Sequence, residues 1–379
     1  MKNICIISDG YPYGNGNHCV FVRELVAEFA KAGHRCVVIC PQIYEGRNRN
    51  YLPYHFVDEV GRYKIDVYAP IYMHLSSHPI CMAISSYNHA KSVLKILKKE
   101  NIIPDIVYGH FIYHNGLTAI YISDIFKCKS FIACGENSLR LMKNSYPYRN
   151  GLKFHQWKKR INKVNGIISV SSYNLRLLKD NGFIGNNVNT FMIPNGVNTK
   201  VFYPRNKYEM RRELNLPLED FICIFVGSFC ARKGNLRVDR ALKSCLDVST
   251  IFIGKGESFS PQSNCLFCGS VKHDEIAKYL CASDVFILPT LGEGCCNAIL
   301  EALACGLPII SSEDKFNDDI LDLNYSIKVD PMSEEQILSA VNEIRDPIVY
   351  ASMKQAALNS CKSFSIENRC EKILNIIVR

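Results

Sequence analysis

From Asn3 to Ser8 the chain is apolar. A polar loop follows, Asp9 to Asn17, carrying Gly14 and Gly16; then Val22, Leu25, Val26, Phe29 and Ala30 recur at helical spacing before Gly33 closes the run. Arg35 to Cys40 completes a strand–helix–strand unit. The same alternation continues through strands at Ile65 to Tyr68, Ile106 to Tyr108, Ser130 to Cys134, Gly166 to Val170 and Asn189 to Pro194, with helical patterns over Ala83 to Lys99 and Ser172 to Asn181. Pro194 and Asn195-Gly196 mark a turn that ends a first domain. Beyond a polar helical stretch, Arg205 to Leu216, the strands resume at Phe221 to Val226, Thr250 to Ile253, Leu266 to Gly269 and Val285 to Leu288, with a helix over Asp274 to Ala282. The segment Ser365 to Val378 is amphipathic. This alternation predicts an α/β protein with parallel sheets.

A length of 379 residues, 47% hydrophobic and 21% charged, supports two or three compact domains with ample core. No apolar stretch approaches the ~18 residues of a membrane span, and the N-terminus reads as a buried strand, so the protein is expected in the cytoplasm. Eighteen cysteines scattered through strands and helices read as small core residues of a reducing compartment. The one Cys-x-x-Cys, Cys265 to Cys268, has no second pair at zinc spacing, so no metal site is expected.

Charge divides the chain. Up to Lys200 there are 25 Lys plus Arg against 12 Asp plus Glu; the remainder has 20 against 24. Arg140 to Lys163 holds eight basic residues and no acid, interleaved with aromatics including Trp157. Such a segment fits peripheral attachment to an anionic membrane face; it fits equally a surface helix whose apolar stripe packs on the core. With no nucleic-acid module in the chain, that partner is not expected.

The chemistry gathers in Leu288 to Ser311, LPTLGEGCCNAILEALACGLPIIS, where Glu293 and Glu301 stand eight residues apart. Asn297 is expected to cap a short helix through Ala304, Gly306 suits the left-handed position after it, and Pro308 prevents continuation. The result is strand, loop, helix, strand, with the loop at the carboxyl edge of the sheet, where helix N-termini favour phosphate. Glu301, one turn inside, can accept two hydroxyl hydrogen bonds, as a ribose offers. Two solvated glutamates on a surface helix satisfy the same pattern. Gly227-Ser228 ends another strand and leads to Arg232-Lys233-Gly234, a basic pair suited to a diphosphate. His110 follows a strand end as well, where a lone histidine is more often structural than catalytic.

The run E-G-C-C-N-A-I-L-E resembles the Glu-x7-Glu signature of retaining glycosyltransferases of family 4, which share the GT-B fold of two Rossmann-like domains facing across a cleft. The strings PDIVYGHF and IPNGVNTKVFYP are similar to two further family segments. The resemblance implies an N-terminal acceptor-binding domain over residues 1–198 and a nucleotide-sugar-binding domain over 199–364, with a final helix in 365–379 returning to the first. It assigns Glu293, His110, Lys233 and Arg232 to catalysis. Gly16, Gly227, Ser228, Gly254, Val271, Gly294, Cys295, Cys296, Asn297, Leu300 and Glu301 are assigned to the donor, with Glu301 on the ribose. Ser228 stands where the family has an arginine, a gap that Arg232 is placed to fill. Glu136, in the loop after Cys134, is either an acceptor contact or a solvated carboxylate.

The resemblance thus implies transfer of a hexose from a UDP- or GDP-sugar to a glycan or lipid-linked acceptor, for cell-surface polysaccharide or glycolipid. Retention by front-side attack is expected, with no obligatory metal or cofactor because the cleft loops lack Asp-x-Asp. An epimerase of the same fold and a non-catalytic nucleotide-sugar-binding subunit are the alternatives. A hydrolase using the two glutamates lacks opposed carboxylates.

Overall fold

The computed structural model describes every residue except 15–18, 47–49, 76–78 and 136–158, and for 79–83 the backbone alone. The chain divides into two compact units, Met1–Ile193 with Cys370–Arg379, and Pro194–Arg369. Gly16, Glu136 and most of the basic segment 140–163 lie outside the described residues.

The first unit contains β1 (Asn3–Ser8), β2 (Arg35–Ile39), β3 (Gln42–Ile43), β4 (His55–Val60), β5 (Tyr63–Tyr68), β6 (Ile71–Tyr72), β7 (Ile106–His110), β8 (Lys129–Cys134), β9 (Gly166–Ser169) and β10 (Thr190–Met192). Eight of them form one sheet in the order β10-β9-β8-β7-β1-β2-β5-β4, and β3 pairs with β6 apart from it. All pairs in the large sheet are parallel except β4 with β5. The inner strands are buried along nearly their whole length, which is why they read as continuous apolar runs. Edge strand β4 has no buried residue and reads HFVDEV, more polar than a core strand.

Helices α1 (Val20–Lys31), α2 (Pro79–Lys99), α3 (Leu117–Phe126) and α4 (Ser172–Asp180) accompany this sheet. Val22, Leu25, Val26 and Phe29 of α1 are buried as their spacing predicts, each contributing about 1.5–3 kcal/mol of transfer free energy. Ser171 caps α4, accepting from the Asn174 amide. Ile161 and Val164, at the end of the basic segment, are buried in the core beside Ile132 and Ile167. Its apolar stripe therefore packs inward at that end.

The second unit has a six-stranded, all-parallel sheet of β11 (Phe221–Val226), β12 (Val248–Ile253), β13 (Cys265–Gly269), β14 (Val285–Leu288), β15 (Ile309–Ser312) and β16 (Ser326–Val329). The order β13-β12-β11-β14-β15-β16 is that of a Rossmann sheet, reversing direction between β11 and β14. Around it lie α5 (Lys207–Glu213), α6 (Asn235–Leu242), α7 (Ile276–Ala282), α8 (Asn297–Ala304), α9 (Glu334–Ile344), α10 (Pro347–Cys361) and α11 (Ile366–Ile377). The last helix begins in this unit, where Ile366 N donates to Val197 O, and belongs to the first from Cys370 onward.

A buried ion pair fixes the edge of this sheet away from the site. Arg211 of α5 donates to Asp284 at 2.7 Å and to Ala282 O, while Lys207 and the Ile222 amide reach the same carboxylate at 2.8 Å. Among the described residues no helix is long and apolar enough to cross a membrane.

Candidate active site

Two loops meet where the second sheet reverses. Register Cys223↔Val285 sets β11 beside β14, so the segments after Val226 and Leu288 emerge together at the carboxyl edge. The first turns tightly: the Lys233 and Gly234 amides both donate to Cys230 O. Gly234, at φ 86°, starts α6, and a Cβ there would lie 2.6 Å from Arg237 Nη2 and 2.8 Å from Pro289 O. Only glycine fits.

Arg237 exploits that gap. Its guanidinium donates to Ala231 O at 2.7 Å in the first loop and to Pro289 O at 2.6 Å in the second. The Leu291 amide adds a bond to Arg232 O at 2.8 Å. The loops are tied at several points before any ligand arrives.

Glu293 is the focus of this arrangement. Its Oε1 accepts from Arg232 Nη1 at 2.5 Å, Lys233 Nζ at 2.6 Å and Thr290 Oγ1 at 3.1 Å. The side chains of Lys233 and Glu293 are each 13% exposed, whereas Arg232 is half in solvent. Burial works against the Lys233 charge, yet the carboxylate of Glu293, paired with and hydrogen-bonded to it, outweighs that cost and holds the ammonium above its ordinary value. The basic pair therefore meets Glu293, an association that spacing alone does not reveal.

Helix α8 starts at the same edge. Its N-cap is Cys296 and not Asn297, because Cys296 has the extended backbone (φ −81°, ψ 108°) and Asn297 is already helical. The Asn297 carboxamide instead accepts from Asn195 Nδ2 at 2.8 Å, and Asn195 also donates to Cys295 O. Burial pushes the Cys295 thiol up to about 12 and that of Cys296 up as well, so both stay protonated. Gly294 is buried, and Leu300, 1% exposed, belongs to the core. Glu301 lies one turn in, and its Oε1 is 2.9 Å from His273 Nε2 in the segment after β13.

The loops after β11, β12 and β13 are laced through backbone. Gly227 N donates to Ile253 O, Phe229 N to Lys255 O, and Gly254 N to Gly269 O. A Cβ on Gly254 would fall 1.9 Å from Gly227 O, so the strand ends approach as only glycine allows. Ser228 is exposed beside them and Val271 is half-buried against the core. Among the described residues no group of three or more His, Cys, Asp or Glu could hold a metal ion.

In the first unit, strand order reverses between β1 and β7. His110 is the last residue of β7, not a residue past it, and pairs in register with Ser8 and Ala133 because the ladder runs two residues beyond the apolar run. It is buried. Nearby, Asn115 Nδ2 donates to Asp9 Oδ1 at 2.7 Å and to His110 O. Behind them His89 and His114 stack, with centroids 5.5 Å apart; His89 Nδ1 meets Thr118 Oγ1 at 2.7 Å, and His114 Nδ1 meets Ser86 Oγ at 3.1 Å.

Asn195, His273, Thr290 and Arg237 escape sequence reasoning. Only Asn195 carried a signal, since it lies in the turn closing the first domain.

Two family models match in succession, "Glycosyltransferase Family 4" over residues 20–201 and "Glycosyl transferases group 1" over 220–346. The chain belongs to the family 4-type GT-B glycosyltransferases. The putative teichuronic acid biosynthesis glycosyltransferase TuaC of Bacillus subtilis is 25% identical to this glycosyltransferase over 334 residues, 85% of this chain and 83% of that relative. Other curated glycosyltransferases align over about half their length. Sucrose-phosphate synthase from Thermosynechococcus elongatus superposes with a TM-score of 0.76 at 17% identity, covering 99% of this chain and 98% of that one. Anabaena HepE in complex with UDP-glucose superposes at 0.71 and 13% identity over all of both chains. These likenesses establish the fold, two Rossmann-like domains.

Proposed function

We propose that the glycosyltransferase moves a hexose from a nucleoside diphosphate to a hydroxyl of a glycan or lipid-linked acceptor, with retained configuration, in the assembly of cell-surface polysaccharide or glycolipid. The observation that carries this reading is the convergence of Lys233 and Arg232 on Glu293 where the second sheet reverses, beside the N-terminus of α8. The name of TuaC supports the polysaccharide setting, and the UDP-glucose complex of HepE supports a UDP-sugar over a GDP-sugar.

In this reading the diphosphate takes Lys233 and Arg232 from Glu293, and amides at Cys296 and Asn297 add the positive end of α8. Gly227, Ser228, Gly254, Val271, Gly294 and Cys295 surround the nucleotide and sugar, with Arg232 serving for the arginine absent at Ser228. Glu301 accepts the ribose hydroxyls, with His273 orienting its carboxylate. Glu293, once released, faces the hexose. As the anomeric carbon–oxygen bond breaks, the cations stabilise the departing diphosphate; the acceptor oxygen bonds to that carbon from the same side, and its proton passes to the leaving phosphate oxygen. His110 is assigned a part in transfer in the same reading.

The test is thermal stabilisation by a panel of UDP- and GDP-sugars, followed by product analysis with candidate acceptors. The expected result is stabilisation by a UDP-hexose, transfer to an acceptor with an unchanged anomeric centre by NMR, and rates indifferent to a chelator. Inverted product, or a donor consumed only by epimerisation, overturns it.

A further inference from the structure

The turn that follows the first domain is built into the second unit. The Val197 amide donates to Phe364 O at 2.8 Å, the Ile366 amide donates to Val197 O at 2.9 Å, and the Arg369 guanidinium donates to Pro194 O. A Cβ on Gly196 would lie 2.7 Å from Ile366 Cα, so the two segments press together as only glycine allows. Asn195 therefore projects from anchored backbone, inside the same unit as the loop that it reaches.

Its contacts fall on one stretch, beginning 100 positions later. The carboxamide nitrogen donates to Asn297 Oδ1 at 2.8 Å and to Cys295 O at 3.4 Å, and the main-chain amide donates to Cys295 Sγ at 3.4 Å. At the other end of this loop Lys233, Arg232 and Thr290 grip Glu293. The loop from Glu293 to Asn297 is thus held at both ends by side chains from elsewhere in the chain.

The bond to Asn297 matters because an asparagine in the first turn of a helix bonds readily to a backbone amide two residues on. No side chain forms a cap hydrogen bond on α8, and the Cys296 sulfur beside the Ala298 and Ile299 amides is a weak acceptor. With its oxygen committed to Asn195, Asn297 leaves those amides to a stronger acceptor. We propose that Asn195 is a positioning residue for sugar transfer: by holding the Asn297 carboxamide and the Cys295 carbonyl, it keeps the first turn of α8 available to the donor diphosphate. It acts through those two residues, and its role rests on the transfer reading above.

The experiment is calorimetry with UDP on wild type, Asn195→Ala and the double variant Asn195→Ala/Asn297→Ala, with donor kinetics and melting temperatures alongside. Asn195→Ala releases the Asn297 oxygen onto its own helix, so UDP binding weakens roughly 5- to 10-fold, the scale of one net hydrogen bond. Donor KM rises in step, and kcat changes less. The double variant lacks the released oxygen while keeping every backbone amide, and binds UDP more tightly than Asn195→Ala. A merely structural role gives falling melting temperatures and no recovery. UDP affinity of Asn195→Ala equal to wild type, or a double variant that binds no better than the single, overturns the proposal and leaves the transfer reading standing; a wild type that binds no UDP overturns both.

Discussion

Substitution of Glu293 by Gln and of Lys233 by Ala should move nucleoside diphosphate affinity in opposite directions. One Glu293 oxygen collects Lys233, Arg232 and Thr290. A diphosphate that uses these cations must first displace the carboxylate. Lys233 is nearly enclosed, so its bond to phosphate is a charged hydrogen bond of about 1.5–3 kcal/mol, and Lys233→Ala weakens UDP binding roughly 10- to 150-fold. Glu293→Gln keeps the shape and removes the competing charge. Two charges at about 4 Å in a partly exposed setting interact by at most about 4 kcal/mol, and half-exposed Arg232 is discounted, leaving UDP tighter by about 1–2 kcal/mol, roughly 5- to 30-fold. Sugar transfer nevertheless falls roughly 100- to 1,000-fold in both variants, the scale of losing one positioned charge at a reacting centre. Calorimetry with UDP separates the two effects from turnover. Weaker UDP binding by Glu293→Gln would refute the competition argument, and unchanged transfer would remove Glu293 from the chemistry.

Three other outcomes follow from the same structure. Glu301→Ala should raise the donor KM roughly 10- to 100-fold with a smaller change in kcat, measured by steady-state kinetics, because a charged acceptor of two hydroxyl bonds is lost. Asp284→Ala strands buried Arg211 and should destabilise the second unit by about 3–5 kcal/mol in urea titrations. Burial, reinforced by each one's histidine neighbour, lowers His89 to about 3 and His114 to about 4. Their folded-state values lie below the ordinary one of about 6.5, so the unfolded chain binds more protons and stability drains away as pH falls from about 6.5 toward 4, at up to ~1.4 kcal/mol per pH unit per histidine. Replacing His89 by Leu should flatten that slope in urea midpoints measured across the range.

The strand–helix alternation was legible because inner parallel strands are buried on both faces and leave unbroken runs such as Cys223 to Val226. Edge strand β4 was not, since its residues face solvent, and α10 was not, since only Met353 and Ala357 of its fifteen residues are buried. The Glu-x7-Glu stretch gave its helix and Gly306 its left-handed turn, at φ 83°. It misplaced the cap, because residue type favours Asn297 while the backbone bends one residue earlier and Asn195 claims the carboxamide. The contacts of Glu293 with Lys233, and of Glu301 with His273, join residues 60 and 28 positions apart. Strand order creates the first, and nothing local encodes either.

Arg237 has a consequence for engineering. By clamping Ala231 and Pro289 together, it makes the two segments a single mechanical part, so swapping either one from a homologue of different donor preference would leave the other misregistered. A chimera should exchange residues 227–237 and 289–297 as a matched cassette; changing one alone invites a well-folded but idle enzyme.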